Sequence, residues 1–328
     1  MKVVIPMAGF GKRLRPHTYS RPKPLINVAG QPMVKHLIDN LSELDIDEYI
    51  FIVGYLGEQI EEYITQTYSF KARFVEQKEL IGQAHAIYLA KEYLNGPAII
   101  LFSDTLFDGD LSTLKQPEVD GMVFTKEVED PRRFGVVVLN DQGHITDFVE
   151  KPSTTENKQA LIGLYYVREA NLLIKAIETQ MERKQLKGGE FYIADALQIM
   201  IEEGAIFHSQ RVDTWLDTGK PETVLQTNRH LLENGFDNSS DLNFGKAIII
   251  PPVYVHPDAV IEQSVIGPHA TVSAGCEVRH SIITDSIVDV GATVKNSILS
   301  QSLIGRDAVV IGRPRKLNVG DTSSIDFT

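Results

Sequence analysis

The sequence predicts an α/β protein in which a doubly wound, mixed sheet comes first and a stack of short repeated strands follows. Apolar runs alternate with amphipathic segments up to about residue 235. Several of those runs end at a glycine or an aspartate, where a doubly wound sheet builds its ligand site. From about residue 246 the texture changes, and aliphatic residues recur every five or six positions.

The first run, Val3-Val4-Ile5, is β-branched and reads as a buried strand. It leads into Ala8-Gly9-Phe10-Gly11, where two glycines allow a tight bend and close backbone approach to a ligand. Arg13 and Lys23 follow, and with the N–H groups of such a bend they suit phosphate oxygens. Neither common phosphate loop is present. The dinucleotide fingerprint needs a third glycine where Arg13 and Leu14 stand, and the P-loop needs four residues between its glycine and Gly-Lys. A loop laid over a triphosphate, with side chains supplying the charge, fits better.

Residues 33–41 space their apolar side chains as an amphipathic helix does. Residues 49–53 read as a strand closed by Gly54, 58–64 as a helix, 72–75 as a strand and 84–94 as a helix. Residues 98–102 form a nearly unbroken apolar strand, as expected when both faces of a parallel sheet are covered. The Gly9 bend and Asp104 both fall just after such strands. Residues 121–167 are richer in strand formers and read as antiparallel extensions walling one side of the site. Residues 170–182 and 223–232 read as helices, and the latter closes the first domain. The expected division is 1–235 for that domain, 236–245 for a linker and 246–328 for the repeat.

Composition narrows the class. The chain has 328 residues, 43% of them hydrophobic, enough for two domains with a sizeable core. A net charge of −12 argues against nucleic acid as a partner, yet leaves room for a small anion met by local cations. The single cysteine, Cys276, excludes an intrachain disulfide and fits a reducing compartment. No apolar run reaches membrane-spanning length, and Gly9 with the charges from Lys12 breaks the opening run before it could serve as a signal sequence. A soluble cytoplasmic protein, with no membrane partner, is expected.

Gly9-x-Gly11-x-Arg13-Leu14-x-Pro16 with Pro22-Lys23-Pro24 resembles the signature of the sugar-1-phosphate nucleotidyltransferases, and the overall pattern leans towards the thymidylyltransferases. Many members carry two adjacent glycines where this chain has Ala8-Gly9. The resemblance implies an enzyme that joins dTTP or UTP to a sugar 1-phosphate, most simply glucose 1-phosphate, and releases pyrophosphate. The attacking phosphate oxygen is already ionised at neutral pH, so the site must supply positioning and charge neutralisation more than a general base. On this likeness Ala8, Gly9, Gly11, Gln77 and Gly82 bind the nucleotide. Arg13 clamps the β- and γ-phosphates, Lys23 the α-phosphate, and Lys151 the attacking phosphate.

Asp104, in Phe102-Ser103-Asp104-Thr105, resembles the family's Mg²⁺-holding aspartate, and Asp217, in Trp215-Leu216-Asp217-Thr218-Gly219, its second carboxylate. Two carboxylates suffice, because Mg²⁺ keeps several waters and takes substrate phosphates as well. Val149-Glu150-Lys151-Pro152, Gly135 in Arg133-Phe134-Gly135-Val136, and Gly163-Leu164-Tyr165 match the sugar-phosphate side. Read singly these residues have plainer uses: Asp104 and Asp217 as turn caps, Gln77 as a solvated residue before a helix, Glu150-Lys151 as an exposed charge pair. Seven segments in the family's order over residues 3–225 favour the shared site.

The tail carries Val255, Ile261, Ile266, Val272, Val278, Ile283, Val288, Val294, Leu299, Ile304 and Val310, and three intervals make a coil of sixteen or seventeen residues. This resembles the hexapeptide-repeat family, which implies a left-handed parallel β-helix. Some three and a half coils is short for a solenoid, so a neighbouring copy, and hence a homo-oligomer, is expected. Two other functions stay open: an acetyltransferase in the coils, with His256, His269 or His280 as base, and a regulator that binds a nucleotide sugar without turnover.

Overall fold

The computed structural model describes all residues except 116–118, 314–318, 320, 321, 323 and 325–328. The last part of the expected repeat, from residue 314 on, therefore lies largely outside the described residues. The chain forms two compact units, Met1–Asn27 with Gln31–Val224, and Val28–Gly30 with Leu225–Thr328. Among the described residues no helix is long and apolar enough to cross a membrane.

The first unit is built on a nine-stranded sheet. Strands β1 (Lys2–Pro6), β2 (Glu48–Val53), β3 (Ala72–Glu76) and β4 (Ala98–Leu101) run parallel in the spatial order β3-β2-β1-β4. Val3, Val4, Ile5, Ile50, Phe51 and Ile52 are fully buried, as both-face coverage demands. Helices α1 (Met33–Asp39), α2 (Gly57–Thr67), α3 (Gln83–Tyr88), α4 (Ala170–Glu182) and α5 (Ile193–Glu202) complete the layers. One apolar core joins Val4, Ile50, Ile52 and Ile100 to Ala86, Ile87, Leu173, Ile177, Leu197 and Met200 from α3, α4 and α5.

Beyond β4 the chain adds β5 (Thr105–Asp108), β6 (Gly121–Glu127), β7 (Gly135–Leu139), β8 (Ile145–Glu150), β9 (Gln159–Val167), β10 (Phe207–Arg211) and β11 (Thr214–Asp217). Strand β9 runs antiparallel to β4, β6 and β7, and β8 antiparallel to β7, so the sheet is mixed, as expected. Strands β5 and β11 form a separate antiparallel ladder. The helix expected over 84–94 is shorter: it ends at Tyr88 and resumes as a single 3-10 turn, Lys91–Tyr93. The backbone leaves the helical path at Ala90, with φ −89 and ψ 5, while Ala90 and Leu94 stay buried in the core. Helix α5 and strands β5, β10 and β11 have no counterpart in the sequence reading, whereas β8 falls within the 121–167 stretch read as antiparallel extensions.

The second unit stacks short strands into three four-stranded parallel sheets. Tyr254, Thr271, Ile287 and Leu303 stand in register, sixteen or seventeen residues apart, as the repeat requires. All eleven recurring aliphatics join one core, fully or partly buried. This is the expected β-helix of stacked coils. In the stretch expected as a linker, Asp237 Oδ1 accepts from Val253 N at 2.9 Å and Asn238 Oδ1 from Val255 N at 3.0 Å, so these side chains cap the first coil. Helix α6 (Pro221–Leu231) spans the division between the units.

Candidate functional site

The bend after β1 is fixed by its glycines. At Gly54 a Cβ would come 2.8 Å from Ala8 O, so only glycine lets the end of β2 pack on the bend. Gly11 has φ +60, and Thr18 Oγ1 donates to its carbonyl at 2.9 Å. Gly9 faces open space. Leu14, fully buried, anchors the Lys12–Leu14 turn and leaves Arg13 at the surface. Lys23 rides on another such turn, Lys23–Leu25, pinned by buried Pro24 and Leu25.

These elements border a cavity of about 550 Å³. The bend residues Ala8, Gly9 and Gly11, the cations Arg13 and Lys23, and Gln77, Gly82 and Asp104 all line it. The predicted phosphate and nucleotide residues are thus brought together at the carboxyl ends of the parallel strands. Lys23 Nζ donates to Asp104 Oδ2 at 3.0 Å, the carboxylate side chain being 38% exposed and the lysine 12%. Burial pushes the Asp104 carboxyl up, but the Lys23 charge and hydrogen bond, with Arg13 beside it, outweigh that and hold it below the usual carboxylate range.

The second carboxylate arrives through the β5–β11 ladder, in which Asp217 stands opposite Thr105. Thr218 reinforces the join, its N–H and Oγ1 donating to Asp104 O at 3.2 and 3.3 Å. Asp217 Oδ1 accepts from Gly219 N at 2.8 Å. A Cβ at Gly219 would stand 2.7 Å from Arg13 Nη2 and 2.8 Å from Asp217 Oδ1, so the guanidinium, this carboxylate and the cavity wall meet there. Among the described residues no three His, Cys, Asp or Glu side chains cluster as a metal site. Asp104 and Asp217 are the hard oxygen donors here that could hold a divalent cation together with phosphate oxygens.

Gln77 is buried, and its Nε2 donates to Gly82 O at 3.2 Å and contacts His85 Nδ1 at 3.3 Å. The amide therefore already has local partners within the cavity wall. Burial lowers the His85 pKa, so the imidazole is neutral in the third position of α3, a helix residue as its sequence suggests. Gly82 is irreplaceable on geometry: φ is +116, and a Cβ would meet Phe191 N and O at 2.4 Å.

The sugar-side residues lie outside the lining of this cavity. A Cβ at Gly135 would come 3.0 Å from Glu150 Oε2, so the strand β7 backbone approaches that carboxylate closely. Burial raises the Glu150 pKa, and Lys151 opposes it. Lys151 Nζ lies 3.8 Å from Glu150 Oε1 and donates to the Tyr192 hydroxyl at 2.7 Å. Gly163 has φ +91 and abuts Phe102, a cavity residue; Tyr165 is buried with its ring edge-on to Phe102 at 5.6 Å. Burial, then Glu150 and Asp104, raise the Tyr165 phenol, which keeps its proton at neutral pH.

Sequence reasoning missed Glu190, which lines the cavity, and its neighbours Phe191 and Tyr192. The available signal was Gly188-Gly189, a turn that delivers Glu190-Phe191-Tyr192 just before α5. In the coils His269 Nε2 lies 2.8 Å from Glu233 Oε1, and His256 Nδ1 accepts from Asp258 N at 3.2 Å. His280 sits at a bend with φ +49.

Residues 2–234 match the nucleotidyl transferase family. "Bifunctional protein GlmU" of Methanocaldococcus jannaschii is 32% identical over 266 residues, 81% of this chain and 61% of the relative. "Low-salt glycan biosynthesis nucleotidyltransferase Agl11" of Haloferax volcanii is 33% identical, over 71% of this chain and 67% of the relative. "UTP--glucose-1-phosphate uridylyltransferase AglF" of the same organism is 29% identical, over 71% of this chain and 97% of the relative. The chain thus spans only part of the GlmU relatives, 61% and 55% of the first two. A solved structure described as UDP-glucose pyrophosphorylase complexed with UDP-glucose shares the fold, with a TM-score of 0.61 and 22% identity over 71% of this chain and 98% of that one.

Proposed function

The chain belongs to the nucleotidyl transferase family, and from that premise we propose that it condenses a pyrimidine nucleoside triphosphate, UTP or dTTP, with glucose 1-phosphate to give a nucleotide sugar and pyrophosphate. The observation that carries the reading is the convergence of the Gly9–Gly11 bend, Arg13, Lys23, Asp104 and the Asp217–Gly219 turn around one cavity wall. UTP and glucose 1-phosphate are the substrates in the AglF relative's name, and that supports this choice of pair.

The chemistry then divides among the chain's own groups. Arg13 holds the β- and γ-phosphates and draws off charge as pyrophosphate departs. Lys23 neutralises the α-phosphate, while the backbone of the Gly9–Gly11 bend crowds close to the triphosphate. Lys151 orients the sugar phosphate, one of whose ionised oxygens forms the new bond to the α-phosphorus as the bond to pyrophosphate breaks in line. Glu150 accepts from sugar hydroxyls, with Gly135, Gly163 and Tyr165 shaping that wall. Asp104 and Asp217 would hold Mg²⁺, which supplies charge neutralisation and a template for the phosphates when bound.

Catalysis is assigned to residues 1–235 and a supporting role to the coils from 246, with 236–245 between. A homo-oligomer through the coils is supported by an outward aliphatic ladder, Ile248, Val265, Ile282 and Ile298, the last 79% exposed. A reducing, cytoplasmic setting is supported by the buried free Cys276. The test is a pyrophosphate-release panel of four triphosphates against glucose, galactose, mannose and N-acetylglucosamine 1-phosphates, with an acetyl-coenzyme A assay beside it. Release confined to pyrimidine triphosphates with glucose 1-phosphate bears the proposal out; acetyl transfer without pyrophosphate release refutes it.

A further inference from the structure

We propose that Tyr192 is the positioning residue for Lys151, holding its ammonium between the sugar-phosphate subsite and the nucleotide cavity. The inference rests on the reading that Lys151 meets the sugar 1-phosphate.

Lysine is a flexible point charge, and this one is anchored at both ends. Its backbone takes φ +50, and its N–H donates to Phe134 O at 3.0 Å, which fixes where the side chain starts. Its ammonium donates to the Tyr192 hydroxyl at 2.7 Å and stands 4.5 Å from the centre of the same ring, so one residue offers both an oxygen acceptor and a π face. Tyr192 is itself held by the fold. Tyr192 is buried, and its carbonyl accepts from the Nε2 of the fully buried Gln180 at 3.0 Å. The preceding residue is locked to the cavity wall, with Phe191 N donating to Ile81 O at 2.8 Å and Phe191 O accepting from Ala84 N at 3.0 Å. The same short segment therefore packs against Gly82 in the nucleotide cavity and sets the tip of Lys151.

The competing partner shows what the phenol prevents. Glu150 lies 3.8 Å from the ammonium and is little exposed, and although solvent at the half-exposed Lys151 screens the pair, it remains the nearest competing anion. With Tyr192 nearer, at 2.7 Å, the ammonium does not collapse onto that carboxylate. Two of its three N–H bonds then remain for a phosphate, and Glu150 stays free for sugar hydroxyls. Without the phenolic oxygen, a close Glu150–Lys151 pair would mask both groups at once.

The experiment is a double-mutant cycle on the full chain, reading KM for the sugar phosphate, KM for the triphosphate and the thermal midpoint. Tyr192→Phe should raise KM for the sugar 1-phosphate about five- to twentyfold, leave KM for the triphosphate within about twofold and leave the midpoint unchanged. In the Lys151→Ala background the same substitution should have no further effect, because the phenol acts through the lysine. A full, additive effect of Tyr192→Phe in that background overturns the positioning role, as does no effect in the native background when Lys151→Ala is defective. Lys151→Ala with an ordinary KM for the sugar phosphate overturns both the assignment of Lys151 and this inference, while pyrophosphate release by that variant leaves the reaction class standing.

Discussion

Lys23 and Asp104, 81 residues apart in the chain, are joined across the candidate site, Nζ to Oδ2 at 3.0 Å. One is the cation assigned to the α-phosphate and the other a carboxylate assigned to the metal. Each satisfies the other's charge in the free protein, and both line the cavity where a triphosphate would displace that pairing.

Lys23→Ala and Asp104→Asn should each lower kcat by about a hundredfold or more, the scale seen when a group that meets developing charge is removed. Circular dichroism should stay native, since both side chains lie at the edge of the cavity. Steady-state pyrophosphate release checks this; near-native turnover in both variants would remove their assignment.

Gly219→Ala should slow turnover more than it harms stability. Its new Cβ would press on the ends of two side chains, Arg13 Nη2 at 2.7 Å and Asp217 Oδ1 at 2.8 Å, and these can shift. The expected result is a loss in kcat of roughly tenfold with an unchanged thermal midpoint.

Gly82→Ala should do the opposite, because its obstacle is backbone. With φ +116 and Phe191 N at 2.4 Å from the new Cβ, the expected destabilisation is roughly 2–4 kcal/mol, read from chemical denaturation of the first unit.

How much of this was legible follows from which contacts are local. The opening strand, the glycine bend and the period of the coils are statements about neighbouring residues, and the sequence carries them. The approach of Asp217's strand to the Asp104 turn is not local: it depends on β5 meeting β11 with Thr105 opposite Asp217. No spacing announces that. Gly82 could be singled out as a glycine, but the reason only glycine fits is the backbone of Phe191, far along the chain. Tyr192 was missed for the same cause, since its meaning comes from the tip of Lys151. The helix expected over 84–94 was overextended because the apolar spacing continues through Ala90 and Leu94, which stay in the core, while the backbone leaves the helix at Ala90.

Glu150→Gln should change stability with a definite pH dependence. Burial raises the folded-state pKa of Glu150 above its unfolded value, so folding favours the protonated acid. That contribution is fully present below the unfolded pKa and is lost as pH rises through the folded one. The neutral amide escapes the loss, so the variant should gain in thermal midpoint relative to the native protein at pH 8 and converge with it near pH 4. Its KM for glucose 1-phosphate should rise, and parallel pH series of midpoint and KM check both.

The central claim is that one divalent ion, bridged by Asp104 and Asp217, meets the triphosphate beside Arg13 and Lys23. Anomalous diffraction from crystals grown with Mn²⁺ and a non-hydrolysable triphosphate tests it most directly. The account predicts an anomalous peak within bonding distance of a carboxylate oxygen from each aspartate and of a phosphate oxygen. A peak ligated by neither aspartate, or a triphosphate bound away from the Gly9–Gly11 bend, would contradict it.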